Sequence, residues 1–405
     1  MLTVVSGSAT RDCEGFSRRD FLRIGACTLG GLTLVDLLAA RATGAETEYV
    51  RDKSIVLLYL SGGASHIETF DPKMSAPAEI RSMTGECATN LPGITFGGTF
   101  PLLAARADRL AVIRSFMHPV GSHEQAHLHV LSGGTDPTGI GQAGFSMGSL
   151  YARLRGANHP TTGMPSYALL TENEVDSQYS RELGRVIAGS WPGELGSSYA
   201  AFQHQTAGGN SGGRRKPANP AAENMTLQLP PERFADRRLL LGQLDRLRAS
   251  HDARGGMAGV DALRQQAMQL VLGGAAEAFD FRAEDPRLIA AYDTSEQRIG
   301  FKTFRPSTLG HQLLTARRLC EAGCGFITVH SAGWDMHADG NNPGILTGME
   351  MLGRTLDKAV SAFLDDVAQR GLTEKILLVI TGDFGRTPKV NARGGAQLQT
   401  GRALC

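Results

Sequence analysis

The sequence predicts an α/β protein built on a mostly parallel sheet flanked by helices, and three observations carry that prediction. Residues 54–60 (SIVLLYL), 326–329 (FITV) and 376–381 (ILLVIT) are unbroken apolar runs, the pattern of strands buried on both faces. Each run passes at once into a polar, glycine-containing turn. An amphipathic helix predicted over 308–322 (TLGHQLLTARRLCEA) feeds directly into the strand at 326, which is the order of a parallel crossover. The 50 glycines among 405 residues favour many tight turns over a helical bundle.

Bulk composition narrows the partners. Lys+Arg number 41 against 40 Asp+Glu, a net charge of +1, which gives no global attraction to nucleic acid or an anionic membrane. Aromatics at 6% are too sparse for a single-strand stacking platform. The chain is long enough to bury a sizeable core, as one large domain or two smaller ones.

In chain order, residues 1–45 read as a twin-arginine signal peptide rather than as fold. Ser17-Arg18-Arg19-Asp20-Phe21-Leu22 precedes an apolar stretch, Ile24 to Ala40, interrupted by Gly25, Gly30, Gly31 and Asp36. Small residues up to Ala45 supply a cleavage site. The interruptions argue against a stable membrane span after cleavage. The expected partner is the twin-arginine export machinery, and the expected location is periplasmic or extracellular. That route carries folded proteins, often around a cofactor. Of the cysteines left behind, Cys320 and Cys324 are expected on one helix face; no zinc-knuckle spacing is present, and buried thiols are expected.

The remaining 46–405 reads as the α/β domain. Strand 54–60 breaks into Ser61-Gly62-Gly63-Ala64-Ser65-His66, with Glu68 and Asp71 close behind. Ligands collect beyond the carboxyl ends of strands in open α/β sheets, so His66, Glu68 or Asp71 is a candidate for that edge; the plain alternative is a glycine turn with an Asp-Pro cap. Residues 99–108 predict a helix and 109–116 (RLAVIRSF) a second buried strand. His118, His123, His127 and His129 then cluster, with His123 and His127 on one helix face. Ser122-His123 at the start of that helix can receive an anion on free backbone N–H groups, and this segment is the nucleophile or substrate-contact candidate. A short strand is expected at 166–171, a flexible loop at 204–224 and a helical insertion over 230–300. Beyond the strand at 326, Asp335 and His337 form a metal- or phosphate-handling pair. A helix over 346–369 follows. Strand 376–381 ends in Gly382-Asp383-Phe384-Gly385-Arg386, with Asp383 as a strand-end ligand and Arg386 as an anion clamp; otherwise Asp383 caps a turn and Arg386 is its surface partner.

Together, SRRDFL, SGGASHIETFDPK, LLTARRLCEAGCGFITVHSAGWDMH and ITGDFGRTPKVN resemble the exported DUF1501 proteins, remote relatives of the alkaline phosphatase and sulfatase superfamily. The resemblance spans about residues 17–395. It implies an alkaline-phosphatase-like core with one or two divalent metals at the strand ends, Zn, Ca, Mg or Mn. It also implies that Asp335, His337 and Asp383 are metal ligands and that Ser122 or His123 stands at the nucleophile's place; the strand-end positions of His66 and Asp71 add them as candidate metal companions, and that of Arg386 adds it as a catalytic candidate. The pattern departs from the superfamily in three places. Ser61-Gly62-Gly63 stands where an Asp is usual, Phe384 where many relatives have His, and the tail after Gly395 reads as incomplete at the C-terminus. The expected function is hydrolysis of sulfate or phosphate esters on a small-molecule or polysaccharide substrate. The rival expectation is a non-catalytic exported binding protein that keeps the fold.

Overall fold

The computed structural model describes residues 53–135, 144–172, 176–206, 275–398 and 403–404. Five strands form the central sheet: β1 (Ser54–Leu60), β2 (Tyr167–Glu172), β3 (Phe202–Thr206), β4 (Phe326–Ser331) and β5 (Ile376–Gly382). Their spatial order is β5-β1-β4-β2-β3, and every neighbouring pair is parallel. The α/β fold with a parallel sheet is therefore as the apolar runs predict.

Alternation along β1 divides the core. Val56, Leu58 and Leu60 face one side and pack with Leu313, Leu314, Leu356 and Phe363, from helices α4 (Leu309–Glu321) and α5 (Arg354–Gln369). Leu57 and Tyr59 face the other side with Leu131, Ala152 and Val186, from α1 (His123–Leu131), α2 (Met147–Arg155) and α3 (Ser177–Gly189). Successive strand side chains point to opposite faces, so an all-apolar β1 needs helices on both. Register then sets the site. Leu60 pairs with Ser331 on one side and with Gly382 on the other, so the residues that follow these three positions emerge along one edge.

Several expectations fail locally. Residues 109–116 form no strand: Val112, Ile113 and Phe116 are 40%, 71% and 47% exposed. The apolar stretch there is only Leu110 to Ile113, flanked by Arg109 and Arg114, too short to displace strands with longer runs. The helix expected over 99–108 shrinks to Pro101–Ala104 and a single turn at Ala107–Arg109. Conversely, Phe202–Thr206 is a strand where the loop was expected to begin. As an edge strand, FQHQT needs burial on fewer sides than β1. Of the helical insertion, Ala275–Phe279 and Pro286–Tyr292 are helices, but Arg298–Gly300 and Phe304–Pro306 form an antiparallel hairpin. The expected signal peptide, the rest of the expected 204–224 loop and residues 230–274 lie outside the described residues. The helix expected over 346–369 is present as Ile345–Gly348, a π-helical turn at Met349–Gly353 and α5. Cys324 lies past the end of α4, so it does not share a helix face with Cys320; it is fully buried, whereas Cys87 and Cys320 are partly so, and all three are free thiols. Among the described residues, no helix is long and apolar enough to cross a membrane.

Candidate functional site

At the carboxyl edge of the sheet, three strand ends and one helix converge. The turn after β1 supplies Ser61 and Gly62, the loop after β4 supplies Asp335 and His337, and β5 runs into Asp383. Helix α1 lays His123 and His127 across them. His123 and His127 are one helical turn apart, so both rings face the sheet edge.

Asp383 is fully buried. It accepts hydrogen bonds from Gly62 N at 3.1 Å through Oδ1 and contacts His123 Nδ1 through Oδ2. His118 Nε2 holds the Asp383 backbone oxygen at 2.5 Å. The far side of the His123 ring, Nε2, lies 3.5 Å from Asp335 Oδ2, so one imidazole spans both carboxylates. Burial alone would depress the His123 pKa, but Asp335 and Asp383 outweigh it and lift it to about 9. At neutral pH, His123 is thus an imidazolium between two anions. Burial opposes ionisation of both acids, yet His123, His337 and Arg386 hold Asp335, and His127, His123 and Arg386 hold Asp383, below the ordinary carboxylate range.

Arg386, 1% exposed, closes the other flank. Its Nε donates to Gly63 O at 2.8 Å, and its Nη2 donates to Gly62 O and to Asp335 Oδ1. His337 Nε2 sits 2.8 Å from Asp335 Oδ1 and 3.3 Å from Arg386 Nη1. A single ring nitrogen cannot donate to the first while accepting from the second. The β1 turn must approach closely for this arrangement. Gly62 has φ +110, and a Cβ there would meet Asp335 N at 2.5 Å, so only glycine fits.

Among the described residues, two groups of side chains have ligand atoms within 4.8 Å of one another: His123, His127 and Asp383, and His123, Asp335 and His337. The donor chemistry fits a divalent ion at the first group. His127 Nε2 is buried without a hydrogen-bond partner and lies 3.8 Å from Asp383 Oδ2. Its other nitrogen, Nδ1, is held by the Tyr59 hydroxyl at 2.9 Å. Ligating histidines are oriented through the second ring nitrogen in this way. Burial, partly offset by Asp383, drops the His127 pKa to about 4, leaving the neutral ring that a metal requires. Imidazole with carboxylate suits Zn or another borderline ion better than Ca or Mg.

Of the residues expected at the site, Asp335, His337, Asp383, His123 and Arg386 are brought together. His66 and Asp71 belong to neither group. His66 opens the short helix His66–Thr69, and Asp71 is ion-paired with Lys73 Nζ at 2.6 Å and Arg114 Nη1 at 3.2 Å. Glu68 turns inward, accepting from Ser82, Met83 and Thr84. Ser122 caps α1, its oxygen 3.5 Å from Gln125 N. His127, visible in the sequence only as one member of a histidine cluster, is the ligand candidate that the structure adds.

Beneath the site lies a second polar layer that carried no sequence signal. Ser61 Oγ donates to Glu182 Oε2 at 2.8 Å and lies 2.7 Å from His330 Nε2. Gly333 N also donates to Glu182, at 3.0 Å, so α3 clamps the β1 turn to the Asp335 loop. Burial lifts the Glu182 pKa to about 7, against the hydrogen bonds of Gly333 and Ser61. Since the folded value lies above the unfolded one, its stabilising contribution is complete below about pH 4.5 and is lost as pH rises through 7. Glu182→Gln, which stays neutral, is therefore expected to gain about 2 kcal/mol on the parent between pH 5 and 6.5. Urea unfolding at the two pH values measures this, and an unchanged difference would rule it out.

A family model for DUF1501, described as a protein of unknown function, matches residues 52–397. No curated protein and no solved structure matches the chain.

Proposed function

The chain belongs to the DUF1501 family, whose description assigns no activity, and we propose that this member is an exported, metal-dependent hydrolase of phosphate or sulfate esters. The observation that carries the proposal is the convergence of Asp335, Asp383, His123, His127 and His337 with a buried arginine at three parallel strand ends. A bound divalent ion would polarise an ester oxygen and lower the pKa of a coordinated water. His127, neutral and oriented by Tyr59, and Asp383, fixed by Gly62 N, are the ligands ready without rearrangement. His123 must give up its proton to join them, so its ring is also the group that can hand a proton to or from the reacting ester. Arg386 neutralises Asp335 and offers a planar guanidinium to an incoming oxyanion. Ser122 stands at the start of α1, where unpaired helical N–H groups favour an anion.

One observation favours a second reading, a non-catalytic binding protein that keeps the fold. Every carboxylate of the site already has a cationic neighbour in His123 or Arg386, so the charges balance without a metal. A cleft of about 750 Å³ shares no residue with the cluster. Metal analysis of the purified protein and of Asp383→Ala separates the two, alongside a screen of aryl phosphates and sulfates with Zn, Mn, Mg and Ca. Near-stoichiometric metal that falls at least tenfold in affinity in the variant, with turnover of one ester class, is expected. A parent that binds no divalent ion sinks the hydrolase reading.

A further inference from the structure

The π-helical turn at Met349–Gly353 has no part in the site above, and π-turns inside α-helices collect at functional sites. Its residues Glu350 and Met351 line a cleft of about 750 Å³ together with Leu346, Thr347 and Arg354, and with Gln297, Arg298 and Phe304. That volume lies within the range of ligand sites, about 300–1,000 Å³.

The cleft's chemistry is specific. Arg298 and Arg354 are both exposed, and Phe304 offers a ring 49% exposed. Glu350 accepts from Arg354 Nε at 2.5 Å, and both residues line the cleft. Arg298 is steadied by Phe304 O at 3.1 Å. Thr347 and Gln297 add a hydroxyl and an amide, whereas the Thr84 hydroxyl is already committed to Glu68 and Ser82. An exposed aromatic face, a hydroxyl and an amide, and two cations beside one acid fit a ligand that carries both hydroxyls and spaced negative charges. A nucleotide, with its charges concentrated on adjoining phosphates, would set one of them against Glu350.

From these residues we infer that the cleft is a binding subsite for an acidic oligosaccharide, one carrying carboxylate or sulfate groups. Phe304 stacks on a sugar face, Arg298 and Arg354 take the anionic substituents, and Thr347 and Gln297 take hydroxyls. Binding here does not depend on a metal or on ester hydrolysis.

Calorimetry on the whole chain tests this with three probes: a heparin-derived tetrasaccharide, tetragalacturonate and neutral maltotetraose. The parent is expected to bind at least one acidic probe and to ignore maltotetraose; which acidic probe binds distinguishes sulfate from carboxylate. The Arg298→Ala/Arg354→Ala pair is expected to weaken that binding at least about tenfold, the loss that accompanies removal of a charge-assisted hydrogen bond, and Phe304→Ala to weaken it as well. All three side chains are exposed, so the variants keep the fold, checked by an unchanged melting temperature. Failure of both acidic probes to bind the parent overturns the inference, as does binding that survives all three substitutions or equal binding of maltotetraose. Unchanged metal content in these variants keeps the outcome separate from that of the hydrolase proposal.

Discussion

Arg386→Ala is expected to lower the unfolding free energy by about 3–5 kcal/mol, the range for breaking a buried ion pair from one side. The reason is the number of groups it leaves alone. Arg386 is buried and serves Asp335 together with the carbonyls of Gly62 and Gly63. Its loss removes one of the two cationic neighbours of Asp335 and leaves the Gly62 and Gly63 carbonyl oxygens without their donor. Arg386→Lys keeps a charge but cannot reach all three acceptors, because an ammonium is a point donor and the guanidinium is a fork. It should recover only part of the loss. Chemical denaturation of the three proteins measures the effect, and a loss below 1 kcal/mol in Arg386→Ala would show that the network is not stabilising.

The second large effect is a pH dependence centred on His123. Its pKa rises from 6.5 to about 9 on folding, so the sign is that of a group bound more tightly to its proton in the native state. The stabilisation is complete below about pH 6.5 and disappears as pH climbs through 9. For metal-free protein the swing is about 3 kcal/mol, and His123→Gln should flatten it. Adding Zn to the parent should reverse the trend, because a ligating His123 must be deprotonated and metal binding then gains with pH. Unfolding curves of chelated parent and variant from pH 6 to 9 decide this. A parent as steep as the variant would mean that His123 does not bridge the two acids.

Much of the scaffold was legible in the chain. SIVLLYL, FITVHS and ILLVIT are long apolar runs, and runs of that kind have only buried strands of a covered sheet to go to. RLAVIRSF has a similar apolar fraction but a core of four residues between arginines, and it stays exposed. FQHQT has almost no apolar signal, yet it becomes β3, because an edge strand needs backbone pairing with β2 more than it needs side-chain burial. Pairing of that kind leaves little trace in composition.

The site divides along the same line. Asp335, His337, Asp383 and Arg386 could be picked out because each follows a recognisable strand within a few residues, and a parallel sheet delivers all its carboxyl ends to one edge. His66 and Asp71 also follow a strand, but two positive-φ glycines, Gly62 and Gly63, turn the chain so that Asp71 meets Lys73 and Arg114 instead. His127 and His129 look alike in sequence; the 100° step of a helix and the Tyr59 hydroxyl, 68 residues away, choose between them. Glu182 reaches Ser61 across 121 residues with no local pattern to announce it. The sequence by itself determined which segments become buried strands and which polar residues stand at their ends, since both follow from local hydrophobicity and chain order. Only the tertiary structure decided which of those groups meet, and therefore which are charged, because register, helix phase and burial act between residues far apart in the chain.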